Sequence, residues 1–416
     1  MKANRMRVFV TGVAAVAIGI YAEKGFSGDN NLPAGDPVTI AVQKGVKWLV
    51  SVQGKDGGWG QDGGETSYVR QGERLESNGN DVANTAVAVE ALLHTGSTPT
   101  SGPYREAVAR GVNFILKHVE DSPAEGLAVT DLSGTQIQRK LGPYIDTFLT
   151  SKLLAELDGT MGDSRSNARV RQDLQKCVAK IEKNQLKDGS WNIAGGWAPI
   201  LGTSMASQSL FIAQQKGATV SRDAIAKVQR YTEVANASPP PASMGAGSGG
   251  GIGSGTGSGV GSGVSGGVGG GTYRTIAAPA TVEVSAASAG VSLYQGAQAL
   301  EQFSRTEEDR KKNAKQIAEI NGRLADANFT NGFGSMGGEE FFSYLNISDS
   351  LHRTGGAAWD KWNRDITAKI LKLQNEDGTW AGHHCITGRV AVTSAAILTM
   401  LADREPVVMT TSARKH

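Results

Sequence analysis

Gln53–Trp59 reads QGKDGGW, and the same pattern returns at Gln185–Trp191, QLKDGSW, and at Gln374–Trp380, QNEDGTW. The fixed positions are Gln53, Asp56 and Trp59, then Gln185, Asp188 and Trp191, then Gln374, Asp377 and Trp380. An internal repeat decides architecture before any local reading does. Asp-Gly is a turn former: Asp bonds its own backbone, and Gly takes positive φ without steric cost. Trp adds a large flat apolar surface with one N–H donor, and Gln is suited to capping a helix end. An amphipathic helical pattern precedes each copy, and an Ala/Thr/Leu-rich helical pattern follows it. The repeating unit therefore reads as helix, turn, Trp plug, helix.

Lys44-Gly45, Trp48, Gln53, Asp56-Gly57 and Trp59 together resemble the QW repeat of squalene–hopene cyclases, which protein prenyltransferase β subunits carry in degenerate form. That resemblance implies an all-α fold, an α/α toroid in which six helical hairpins form a ring. Inner helices would surround a central cavity and outer helices would enclose them. The Trp residues would be structural plugs between hairpins. A fold of this kind does not by itself specify a reaction.

In chain order the pattern supplies six hairpins over residues 38–404. Val38–Val52 is the first outer helix, with Val42, Val46, Leu49 and Val52 on one stripe. Asp81–His94 is apolar nearly all round, as a helix buried between layers should be. The second hairpin is Tyr104–Val119 with Tyr144–Leu157, and the third is Asn167–Gln185 with Gly202–Gln215. The fourth pairs Arg222–Val234 with an inner helix near Thr281–Phe303. The fifth pairs Glu307–Ala327 with Glu339–Arg353, and the sixth pairs Trp359–Gln374 with Arg389–Ala402. The second, fourth and fifth hairpins lack the repeated turn.

Flanking segments read differently. Residues 1–22 carry Lys2, Arg5 and Arg7 and then the uncharged run Val8–Ala22, the pattern of a signal peptide or an N-terminal anchor. Export follows as an expectation, to a periplasmic, extracellular or membrane-anchored location. Residues 23–37 form a linker, and 405–416 a tail. A Gly-rich insert spans about 237–275, with 16 Gly among the 27 residues of Gly245–Gly271. It has no Lys between Ser238 and Thr272, so it holds no phosphate-loop motif and reads as a flexible extension. The formal charge of the whole chain is +2, and loss of three basic residues with 1–22 leaves −1. Such a balance gives no electrostatic case for nucleic acid. Cys177 and Cys385 would lie far apart around the ring, so two free thiols are expected.

Asp81-Val82-Ala83-Asn84-Thr85-Ala86 is the most informative stretch for chemistry. Squalene–hopene cyclases carry a DxDDTA signature at an inner-helix start, whose middle Asp protonates an alkene. Protonation of an alkene needs a carboxylic acid held neutral and poised. By the resemblance, Asp81 matches the first acid, Ala83 stands where the proton donor should be, and Asn84 replaces the last acid. No DDxxD is present either. Asp81 thus reads first as a helix cap. Asp146 reads the same way, and Glu90 lies on the opposite face of its helix from Asp81; these three are the candidate catalytic acids. Phe148, Phe211, Tyr294 and Phe342 are the candidate ligand-facing rings, a thin set for carbocation chemistry. His383-His384-Cys385 is the one cluster of soft ligands, with His383 and Cys385 as candidate zinc ligands. A zinc site needs three or four ligands, and the family's D-x-C pattern is missing, so no cofactor is expected.

The reading ranks a binder of an apolar, isoprenoid-like ligand, or an interaction scaffold with a protein partner, slightly above a terpenoid-metabolism enzyme using non-standard residues. A toroid polysaccharide lyase or hydrolase is the third class. Membrane contact is expected through an uncleaved N-terminal segment alone.

Overall fold

The computed structural model describes residues 35–61, 79–193, 199–237, 272–277, 280–285, 291–332, 337–383 and 386–404. Residues 1–34, most of the Gly-rich insert and the tail 405–416 lie outside the described residues.

The first hairpin pairs α1 (Pro37–Ser51) with α2 (Val82–His94). Asp36 caps α1 by accepting from the Val38 and Thr39 amides, and Pro37 occupies the first turn, where its missing N–H costs nothing. The second hairpin joins α3 (Arg105–Asp121) through the short α4 (Gln136–Leu141) to α5 (Ile145–Leu157). The third pairs α6 (Ser164–Lys183) with α7 (Pro199–Gln215). The fourth pairs α8 (Arg222–Ala237) with α9 (Val291–Phe303). In the fifth, the outer position is taken by α10 (Glu307–Lys312), α11 (Ala314–Arg323) and α12 (Ala327–Thr330), before the inner α13 (Gly338–Thr354). The sixth pairs α14 (Gly356–Lys372) with α15 (Arg389–Met400).

Packing closes these hairpins into a ring. Helix α2 packs on α5, α5 on α7, α7 on α9, α9 on α13, α13 on α15, and α15 returns to α2. The outer helices lie over this ring, with α1 against α14 and α15, α3 against α2 and α6, and α8 against α7 and α9. Inner helices α2, α13 and α15 are buried on nearly every residue, whereas α1, α3 and α6 bury one stripe. The all-α toroid expected from the repeat is the observed architecture.

The repeated turn is built three times on one plan. The indole N–H of Trp59, Trp191 and Trp380 donates to the carbonyl ten residues earlier, at Leu49, Ile181 and Ile370, over 2.7, 2.7 and 2.8 Å. Each Trp amide donates to a hydroxyl on its own inner helix, at Thr85, Thr203 and Thr393. The Asp side chains of 56, 188 and 377 accept the amide two residues on. Each Gln side chain donates twice, to Gly57, Gly189 or Gly378 in its turn and to a carbonyl of the next outer helix, Ala107, Ala224 or Ala41. The Gln thus bridges hairpins rather than capping its own helix. One turn joins its outer helix, its inner helix and the neighbouring outer helix.

Where the turn is absent, lysines of the next outer helix satisfy the loop. Lys176 donates to the Val119 and Ser122 carbonyls, both over 2.7 Å, and the buried Lys180 to those of Gly126 and Ala128. Lys369 similarly reaches Asn331 and the Tyr344 hydroxyl beside the fifth hairpin's loop. The Lys176 and Lys180 contacts give loop backbone carbonyls their donors, whereas Lys369 bonds side-chain oxygens of the fifth hairpin.

Two boundaries differ from the sequence expectation. The fourth inner helix begins at Val291, not near Thr281. Strands β3 (Thr272–Ala277) and β4 (Ala280–Ser285) form an antiparallel hairpin that pairs Tyr273 with Val284 and Thr275 with Val282. Their Thr, Val, Ile and Tyr content favours strand over helix. The hairpin also occupies the end of the stretch expected to be wholly flexible. The fifth outer helix is broken at Asn313, which ends α10 and starts α11, with its side chain turned back to the Asp309 carbonyl. Two further short strands, β1 (Trp59–Gly60) and β2 (Asn80–Asp81), pair antiparallel at the head of α2.

Losing the buried Trp191 should therefore destabilise the ring. Trp191→Ala is expected to lower unfolding free energy by about 3–5 kcal/mol in chemical denaturation. The turn glycines give a finer test. Gly57 and Gly217 share nearly the same positive φ, +92° and +90°, but a Cβ at 57 would lie 2.6 Å from the Arg110 carbonyl oxygen and one at 217 would meet nothing. Gly57→Ala should cost clearly more stability than Gly217→Ala, and equal losses would mean that backbone strain alone governs the turn.

Candidate functional site

The acids at the head of the ring come from two adjacent inner helices. Asp81 is the cap of α2: one carboxylate oxygen accepts the Asn84 amide and the other the Asn84 side-chain amide, both over 2.8 Å. Asp146 stands in the first turn of α5 but does not cap it, since that position belongs to Tyr144, which makes no side-chain cap bond. Its oxygens reach outward instead, accepting the Ala83 amide over 3.1 Å and the Gln138 side-chain amide over 2.7 Å. Asp146 therefore satisfies an amide of the neighbouring helix's first turn, beside the residue that lacks a side-chain acid. Both carboxyls are buried, at 3% and 1% exposure. Burial, aided by the charge of Asp146, pushes Asp81 up to about 7. Burial likewise raises Asp146 to about 6 against its hydrogen bond from Gln138. Two like charges in one dry site disfavour each other's ionisation.

Glu90 belongs to a separate cluster more than two turns down α2 from Asp81. It forms a buried ion pair with Lys152 of α5, and Lys152 also lies 3.9 Å from Glu156. His94 completes the group, 3.6 Å from Glu156. Ligand atoms of Glu90, His94 and Glu156 fall within 4.8 Å of one another, the spacing of a metal site, but the Lys152 ammonium stands among them. Burial raises the Glu90 carboxyl against the pull of Lys152. At Glu156 burial works upward too, but Lys152 and His94 outweigh it and hold that carboxyl below its ordinary range. Sequence reasoning named Glu90 but not this cluster. The signal was present in the i, i+4 pairs Glu90–His94 and Lys152–Glu156 on two adjacent inner helices.

Each candidate ring has its own neighbours. Phe148 meets Trp191 edge-on at 6.5 Å between centroids. Tyr294 donates to Glu340 over 2.9 Å. Phe211 lies beneath the guanidinium groups of Arg305 and Arg353, and Phe342 is buried in α13. His383 is exposed, and Cys385 lies outside the described residues, so its pairing with His383 carries no structural statement. Cys177 is a free, buried thiol that burial pushes up to about 12.

Polar side chains reach through the ring interior. Gln208 of α7 bonds Asp349 of α13 past the intervening α9, and Ser204 and Asn346 meet in the same way. This polar interior was not foreseen from the Ala-, Val- and Leu-rich composition of the inner helices.

The closed ring of helical hairpins defines the chain as an α/α-toroid protein. Residues 30–127 match the family model of the squalene-hopene cyclase C-terminal domain. The chain is 36% identical over 75 residues to the squalene–hopene cyclase of Bradyrhizobium diazoefficiens, covering 18% of this chain and 10% of that protein. It is 32% identical over 88 residues to that of Zymomonas mobilis, covering 21% of this chain and 12% of that protein. These sequence matches make part of the chain similar to squalene–hopene cyclases. They span only about a tenth of the length of the curated relatives. A type II terpene cyclase from Scytonema, solved in complex with the substrate geranylgeranyl dihydroxybenzoate, aligns with a TM-score of 0.48 and 11% identity, over 88% of this chain and 97% of that one.

The raised Asp81 carboxyl sets a direction for stability against pH. In the unfolded chain the group ionises near 3.8, and in the folded chain near 7. The folded state therefore holds the extra proton between those values, and its stability falls as pH rises through that window. Asp81→Asn keeps a competent cap and cannot ionise. The variant should melt like the parent near pH 4 and higher than the parent near pH 8. Parallel melting profiles across the range would show that Asp81 is charged in the fold.

Proposed function

We propose that this chain is a binding or scaffold toroid that has lost protonation-initiated cyclisation. One observation carries the reading. Ala83 stands at the expected donor position, and the carboxylate beside it, Asp146, accepts the Ala83 amide and the Gln138 side chain. Asp81 is likewise committed to Asn84 on both oxygens. Carboxylates held this way order two helix starts. The expected ligand is a small molecule with an isoprenoid-like apolar part, and a protein partner is the other class of occupant. Polar contacts through the ring interior favour a ligand that also carries polar atoms. The N-terminal pattern of residues 1–22 supports export, with membrane contact through that segment where it is retained. Zinc is not part of the proposal.

A second reading has its own support. Acids raised to about 7 and about 6 keep protons near neutrality, as a cyclase's donor must. Incubation of the purified chain with squalene, and separately with a geranylgeranyl-bearing phenol, distinguishes the two. No cyclised product is expected by gas chromatography–mass spectrometry, while equilibrium dialysis should detect retention of an isoprenoid. Cyclised product that disappears in Asp146→Asn would overturn the proposal and make Asp146 the proton donor.

A further inference from the structure

At the end of the ring where α9 and α13 terminate, two guanidinium groups share one aromatic ring. Arg305 lies 4.8 Å and Arg353 5.6 Å from the Phe211 centroid. Arg305 is 2% exposed and is held in place by Glu301 through two hydrogen bonds of 2.8 and 2.6 Å. Its Nη2 also donates to Ser207 over 2.9 Å, and the Gln302 side chain donates to the same hydroxyl over 3.3 Å. Gln302 and Arg305 therefore share the Ser207 hydroxyl. Each arginine nonetheless keeps a buried nitrogen unused: Nη1 of Arg305 and Nη1 of Arg353 have no partner, and neither has Oε1 of Gln302. Arg353 makes no ion pair among the described residues.

Unpartnered buried donors are costly, and charged ones more so. A cation at a helix C-terminus is favoured by the helix dipole, which accounts for the position of Arg353 at the end of α13. It does not account for two buried guanidinium nitrogens without acceptors around Phe211, or for the Gln302 carbonyl oxygen without a donor on the residue that shares Ser207 with Arg305. We infer that Arg305, Arg353 and Gln302 form a binding site for a small oxyanion that also bears a hydroxyl group. Its oxygens would accept from the two Nη1 groups, and its O–H would donate to Gln302 Oε1. Hydrogen phosphate and short hydroxy-carboxylates share this chemistry. Arginine suits both, because its planar fork matches their oxygens. Glu301 neutralises Arg305 within the site and Asp349 lies one turn before Arg353, so the ligand's affinity rests on directed bonds more than on net charge.

The site deepens the reading of the ring as a binder and rests on it, but its test is separate from the cyclisation assay. Isothermal titration of the full chain with inorganic phosphate and with glycolate, in chloride buffer of matched ionic strength, is the direct experiment. Saturable binding of at least one of them is expected, weakened at least tenfold in Arg353→Gln. That variant is chosen because Arg353 is part-exposed and unpaired, so its melting curve should match the parent's, whereas removing Arg305 would strand Glu301. Phosphate without glycolate would identify a phosphate-bearing ligand, and glycolate without phosphate a hydroxy-carboxylate. Absence of saturable binding by both, or equal binding by Arg353→Gln, would overturn the inference.

Discussion

A buried carbonyl must find a donor, and this ring is arranged around meeting that demand between hairpins. Every join between neighbouring helices leaves backbone oxygens in places that water reaches poorly. Gln53, Gln185 and Gln374 answer with one amide that bonds its own turn and the next outer helix at once. The indole above each does the same for the helix behind it. Lys176 and Lys180 supply the donors in the second hairpin, where no such turn exists. Two chemistries thus meet one constraint. Neutral amides give a fixed geometry, and long cationic side chains reach loops of irregular shape.

That distinction explains how much of the fold was legible. The spacing Gln, Asp, Gly, Trp encodes a turn whose every polar atom has a local or adjacent partner, so a short pattern sufficed to read it. The threonine that follows, at 85, 203 and 393, belongs to the same unit, because its hydroxyl accepts the Trp amide. In sequence it looked like a general feature of inner helices. Lysine donors reached from a later helix across more than 50 residues, as Lys180 reaches Ala128, and no local pattern marks such a contact. The fourth inner helix was misplaced for another reason. The alternating Thr and Val of 281–284 are a strand pattern, and they belong to β4 rather than to the helix that begins at Val291.

The candidate site was legible in its parts and not in its grouping. Asp81 and Asp146 were both singled out, but their proximity depends on α2 of the first hairpin packing against α5 of the second, which no local pattern marks. Capping explained Asp81 correctly. It failed for Asp146, whose carboxylate serves a neighbour's helix rather than its own. Composition misled at the interior. Ala, Val and Leu prevail on α2, but α7, α9 and α13 also carry Gln, Ser and Asn residues that meet within the ring. A helix buried on all sides has more than one kind of buried side, and a hydropathy average does not distinguish them.

The bond from Gln374 to Ala41 joins residues 333 apart in sequence. Stacked-hairpin proteins that remain open have two terminal units, each with one uncovered flank, and they unravel from those flanks inward. Here the first and last hairpins cover each other, so the array has no flank at which fraying begins. The same closure delays assembly, since bringing such distant segments together carries the entropy of a long loop. Until α14 and α15 arrive, α1 has only its own hairpin to pack on, and every earlier hairpin belongs to an open array. The contacts that close the circle are thus among the most distant in sequence, and a ring missing its sixth hairpin would be a different kind of object, a solenoid with two ends.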